Sequence, residues 1–307
     1  MNNVLAISGI VMKELYRRKD FYVLFVLTAL ITLVLGSVSF FNDAKIVRYL
    51  KEVCLLLIWV SSLVIAITTA ARQIPAEREN RTIFPLLAKP VTRGQFIMGK
   101  FLGCWLACGV ALVVFYLFFS VVSESRGRPD SPPAETSAAA PAATLATDAS
   151  AKAHEQAHDH PAVGGGYHEE HQDPEHRSVV LNYLQALWLH WLMLGVVTAM
   201  VLLGSVVLSA PSATVTISFI GVVGILLLGE HLNKVALRQT QPVQAVLYTG
   251  YFLIPHLEWF DIRDRVIYDQ PPIPLMDCGW AAIYALAYVG LFLLLAWFVF
   301  RRKTLTL

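Results

Sequence analysis

Charge is what this chain has least of. Only 15% of its 307 residues are Asp, Glu, Lys or Arg, against 56% that are hydrophobic. Soluble domains carry about a quarter charged residues. The shortage is concentrated in blocks, and a block of ~20 apolar residues is long enough to cross a bilayer as a helix. Six such blocks are present: Phe21–Phe41, Val53–Ala71, Phe101–Val122, Tyr183–Leu208, Ala213–Gly229 and Trp280–Phe300. They do not alternate apolar with polar residues, as the strands of a membrane barrel must. The pattern predicts an all-α integral membrane protein with six transmembrane helices.

Cysteine is also scarce. Cys54, Cys104, Cys108 and Cys278 show no C-x-x-C spacing, which excludes the common zinc frameworks. Cys104 and Cys108 read as small packing residues. Cys54 and Cys278 fall at the outer ends of spans, where pairing stays open. No early, short apolar stretch of the signal-peptide kind is present, so the first span reads as an uncleaved anchor.

The spans themselves contain essentially no Asp, Glu, Lys or Arg. Charged groups inside a membrane mark ion and proton pathways, and a proton-coupled carrier would need them. Energy is therefore expected to enter from outside the spans. His190 is the one imidazole within a span, and it reads as an interface residue beside Trp188 and Trp191.

Acidic residues are few on one side of the membrane. Lys13, Arg17, Arg18 and Lys19 precede the first span. Arg72, Arg78, Arg81, Lys89, Arg93 and Lys100 lie between spans two and three, and Arg301, Arg302 and Lys303 follow span six. With six spans these three segments share a side, so both termini are expected in the cytoplasm. The net charge of +2 hides this asymmetry and gives no sign of a nucleic-acid partner.

What is present between the spans is uneven. Val4, Ile7, Val11 and Leu15 recur at helical spacing and predict an amphipathic helix lying in the interface before span one. Residues 123–177 are rich in Ala, Pro, Ser and Gly, with few large apolar residues. Such a segment cannot bury enough surface to offset chain entropy, and it is expected to be a disordered external loop. It holds His154, His158, His160, His168, His171 and His176. Neutral imidazoles bind transition metals, so weak metal binding there is an expectation. Residues 230–277 are aromatic-rich and predict short helices against the outer leaflet or capping the bundle. Pro211 marks a tight turn between spans four and five.

The segment Gly94-Gln-Phe-Ile-Met-Gly99-Lys100 has the spacing of a phosphate-binding loop. A working loop of that kind needs Ser or Thr next and a strand before it. Phe101 stands in the hydroxyl's place, and a transmembrane helix follows at once. Nucleotide binding by this chain is not expected. Glu77, Arg78, Glu79 and Arg81, with both charge signs, instead suit a short helix facing a soluble partner.

Glu77-Arg78-Glu79, Thr82, Leu86, Leu87, Pro90-Val91-Thr92-Arg93 and Gly99-Lys100-Phe101 resemble the first cytoplasmic loop of ABC-2 type transporter permeases. The six spans, cytoplasmic termini and leading amphipathic helix resemble that family too. Arg81 stands where the family usually has glycine, and Pro85 interrupts the helix early. A subset linked to copper-enzyme maturation is similar in size and in its basic start. The resemblance implies a permease subunit of an ABC transporter in the cytoplasmic membrane, dimeric with a second permease subunit and in contact with lipid. It implies a cytoplasmic coupling helix whose Glu77, Arg78, Glu79, Arg81 and Thr82 contact a separate ATP-binding subunit. ATP and Mg would sit on that partner, and this chain would hold no cofactor and no catalytic residue. Two other readings stay open at this point: a membrane-anchored metal-binding protein using the histidines, and an ion-coupled carrier.

Overall fold

The computed structural model describes residues 2–17, 19–37, 44–79, 92–126, 174–208, 210–237, 243–268 and 270–302. Among these residues the regular structure is helical throughout. In chain order it comprises α1 (Asn2–Tyr16), α2 (Lys19–Ser37), α3 (Ala44–Glu79), α4 (Arg93–Arg126), α5 (Pro174–Val207), α6 (Pro211–Ala236), α7 (Val243–Leu253), a 3-10 turn (Leu257–Phe260), α8 (Arg263–Ile267) and α9 (Leu275–Arg302).

Four stretches are long and apolar enough to cross a membrane among the described residues: Lys51–Glu79, Arg93–Val121, Val180–Val207 and Leu275–Arg302. They hold the second, third, fourth and sixth apolar blocks of the sequence. The first and fifth blocks are also helical over α2 and α6, the latter with a shorter apolar stretch at Pro211–Leu227.

Burial ranks these helices. The apolar window of α5 is 72% buried, whereas that of α9 is only 28% buried. So α5 is the central post, touching α3, α4, α6 and α9, while α9 keeps most of its surface toward the surroundings. In α5, Met193, Leu194, Val197, Val201 and Leu202 are fully enclosed. A helix apolar on every side belongs inside a bundle or inside lipid, and this pair shows both outcomes.

Two tryptophans lock α4 to α5. Trp105 and Trp191 stack with centroids 4.5 Å apart. Each indole N–H donates to the other's backbone carbonyl, at 3.0 and 3.3 Å. Each ring lies against a glycine of the opposite helix. A Cβ on Gly109 would come within 2.5 Å of Trp191, and one on Gly195 within 2.9 Å of Trp105. Buried indoles need a partner for N–H, and the glycines let the rings reach one.

The amphipathic N-terminal helix is present, and it packs against protein. Ile7, Val11 and Leu15 of α1 are buried against α4. Contact is close because Gly99 and Gly103 lack side chains. A Cβ there would fall 2.8 Å from Ile7 and 2.6 Å from Val11. Glycines four apart on one helix face let two backbones approach in this way.

The turn between α5 and α6 falls where Pro211 predicts it. Pro211 opens α6, a position where its missing N–H has no helical partner to lose. At the loop edges, α4 continues to Arg126 and α5 begins at Pro174, so each helix takes a few residues that the composition assigns to the loop 123–177.

Residues 257–267 of the aromatic-rich segment pack at one end of the bundle. Leu257, Phe260, Ile262, Val266 and Ile267 are buried in the main core beside α3 and α5. Asn182 Nδ2 donates to the Gln270 carbonyl at 2.7 Å. Gln185 exchanges two hydrogen bonds with the Ile273 backbone, at 2.7 and 3.0 Å. Arg263 pairs with Asp261 and lies 4.9 Å from the centre of the Trp59 ring. Burial alone would lower the Arg263 pKa, but the Asp261 carboxylate outweighs it and leaves the guanidinium raised above its ordinary value.

His190 is a correction. It lies inside the bundle, 4% exposed, and its Nε2 is 2.8 Å from the Ser62 hydroxyl. The adjacent tryptophans suggest an interface position, but α3 covers this face of α5. The cysteines form no disulfide. Cys54 and Cys278 are both buried thiols.

Candidate functional site at the basic end of the bundle

At the end opposite the aromatic cap, α1, α3, α4 and α9 converge. Glu77, Arg78 and Glu79 form the last turn of α3. This corrects the expectation of a separate short helix for these three. The 36-residue α3 carries span two and the charged run without a break. Ala70, Ala71, Arg72, Gln73, Ala76, Glu77 and Arg78 are mostly good helix formers. Pro75 removes one backbone donor but does not end the helix here. Arg81 and Thr82 lie outside the described residues.

Glu79 is exposed at the tip, whereas Glu77 turns inward. There it forms an ion pair with Lys100 of α4. The Lys100 side chain is only 3% exposed, and that of Glu77 is 17% exposed. Lys100 Nζ also donates to Gln73 Oε1 at 3.1 Å and sits 5.9 Å from the centre of the Phe96 ring. A buried ammonium costs several kcal/mol unless it is paired and hydrogen-bonded. Among the described residues one carboxylate, one amide and one aromatic face lie against it.

The residues with phosphate-loop spacing therefore have structural roles. A Cβ at Gly94 would only reach ordinary contact with Trp297 of α9, whereas Gly99 admits α1 and Lys100 ties α4 to α3. Arg93, just before them, donates to the Phe300 and Arg301 carbonyls at 3.2 and 2.9 Å. Those are carbonyls at the C-terminus of α9, where helices leave acceptors unmet and favour cations. Phe96 stacks on Phe300 with centroids 5.8 Å apart, completing the join.

Beside this collar lies a cavity of about 530 Å³ lined by Glu14, Arg72, Gln73, Ala76, Glu79, Pro211 and Ser212. It is bounded by α1, α3 and α6, and carries both charge signs. Sequence reading names Glu79 for this region but misses Lys100 as a structural cation. A usable signal was present: a lysine entering an apolar helix needs a partner, and the carboxylates of Glu77 and Glu79 end the preceding span.

The histidine residues His154, His158, His160, His168 and His171 lie outside the described residues. The backbone of His176 belongs to the first turn of α5. Among the described residues no three His, Cys, Asp or Glu side chains are grouped to hold a metal.

Taken together, the fold and this site define a multi-pass helical membrane protein with a charged platform at one end. Residues 25–147 match the family model described as ABC-2 family transporter protein. The match supports an ABC-2 type permease, as the residues from Glu77 to Phe101 imply. Permeases of that family are the membrane component of a transporter and normally work with an ABC ATP-binding subunit. No curated protein matches the chain.

Proposed function

We propose that this chain is the membrane-spanning subunit of an ABC transporter, moving a substrate across the cytoplasmic membrane with ATP hydrolysed by a separate subunit. In this reading α2 and α6 supply the first and fifth of six spans. At 19 residues, α2 is about 28 Å long, close to the thickness of a bilayer core. Both termini face the cytoplasm because the basic residues of α1, α4 and α9 gather at one end. A second permease subunit pairs with this one, so that two platforms engage two ATP-binding subunits.

The observation that carries the reading is the course of α3. One continuous helix runs from beside the aromatic cap, through the core, to the exposed carboxylate of Glu79. Arg78, Glu79 and the segment from Asn80 through Thr82 offer the ATPase a platform with both charge signs. Displacement there has a route into the bundle along α3.

The test is a charge reversal that spares the internal ion pair. Glu79→Lys should lower co-purification of the ATP-binding subunit, while the chain still inserts and keeps its thermal stability. Unchanged assembly and unchanged ATP hydrolysis by the complex would count decisively against this docking surface. Reversing Glu77 is a poorer probe, because it would also place two cations together inside the protein.

A further inference from the structure

We infer that Lys100 is a positioning residue for coupling: it makes the last turn of α3 and the start of α4 move as one piece. This rests on the reading of Glu77–Glu79 as part of the ATPase platform. The key geometry is the placement of its partners around Pro75. Gln73 lies two residues before the proline and Glu77 two residues after it, and Lys100 Nζ engages both. Pro75 cannot donate the backbone hydrogen bond that would close this turn of the helix. The missing bond, to the Ala71 carbonyl, loosens the turn just before the platform, a place where a push could bend the tip without moving the span. Lys100 bridges that point from outside.

The same side chain passes the motion onward. The backbone of α4 at this level is joined to α1 through Gly99 and Gly103, and to α9 through Arg93 and the Phe96–Phe300 stack. A displacement at Glu77 thus reaches the bases of α1, α4 and α9 through one buried ion pair. A lysine held at 3% exposure is a costly way merely to fill space, since an apolar residue of similar volume would avoid the desolvation. A link between two helices across a proline gives the charge pair a purpose.

The experiment uses the full chain assembled with its ATP-binding subunit in lipid nanodiscs. Spin labels at Tyr16 on α1 and Ser212 on α6 report the separation of these two helices at the charged end. Turnover of Mg-ATP with vanadate, which leaves Mg-ADP and vanadate trapped on the ATP-binding subunit, should change that distance in the wild type. Lys100→Met should keep the ATP-binding subunit bound, abolish the change and slow hydrolysis roughly fivefold or more, the usual size of such coupling. Lys100→Arg, and the swapped pair Lys100→Glu with Glu77→Lys, should restore both readouts. A Lys100→Met complex that keeps the nucleotide-driven distance change and wild-type hydrolysis would overturn the inference. So would loss of both readouts in Lys100→Arg, because charge at that position would then not be what matters. If the wild-type chain fails to retain an ATP-binding subunit at all, the docking reading itself falls, and this outcome is distinct from the other two.

Discussion

Lys100 and Glu77 are not equivalent members of their pair. Lys100 is almost wholly enclosed, while Glu77 keeps partial contact with the surroundings. Removing one partner of a buried ion pair costs about 3–5 kcal/mol when the remaining charge cannot be solvated. Glu77→Gln leaves the enclosed ammonium with the Gln73 amide and, among the described residues, no carboxylate in contact. Lys100→Met leaves a carboxylate that can turn toward water. Glu77→Gln is therefore expected to lower the melting temperature in detergent more than Lys100→Met does. Equal shifts in a fluorescence melt, or the reverse order, would show that the burial asymmetry does not govern stability here.

Among the elements, α1 has a partner that only the fold reveals. Its period marks an apolar face, and a free amphipathic helix would lay that face on lipid. Instead Ile7 and Val11 meet Gly99 and Gly103 at distances that leave no room for a methyl group. Gly103→Leu should force α1 off α4, at a cost of about 1–3 kcal/mol or more for overpacking. The readout is protease protection of residues 1–17, which should fall while insertion of the spans persists. Gly9→Leu serves as the control. Nothing lies within 4 Å of a Cβ at that position, so protection should be unchanged. If Gly103→Leu leaves α1 as protected as the wild type, the contact is not what holds the helix.

For the whole molecule, the open matter is the segment between α4 and α5. Its histidines follow the patterns H-x-x-x-H-x-H and H-x-x-H. For a segment of this composition each bound metal must offset the entropy of ordering the chain, which keeps affinity modest. Deleting residues 129–173 should abolish zinc or copper uptake measured by calorimetry. The deletion starts after Arg126 and ends before Pro174, so it spares both helices. Membrane insertion and co-purification of the ATP-binding subunit should survive. Loss of assembly on deletion would show that the segment is structural, and unchanged metal uptake would remove it as the binding site.

The apolar blocks by themselves determined that this is a helical membrane protein, where its long helices lie and which end is basic, because those properties follow from local hydrophobicity and charge. The motif from Glu77 to Phe101 determined the family resemblance and named Glu79. Partnership across helices was not legible in the same way. Glu77 and Lys100 are separated by a polar stretch of sequence, His190 and Ser62 by α4 and the histidine-rich segment, and Gly109 and Trp191 by that same segment. Sequence spacing carries no record of which side chains meet once helices apolar on every side have chosen their neighbours. That choice is made by close packing at glycines and by the need of each buried N–H or ammonium for an acceptor. For this reason the lysine that looked like a misplaced phosphate ligand became, in the tertiary structure, the tie between two spans.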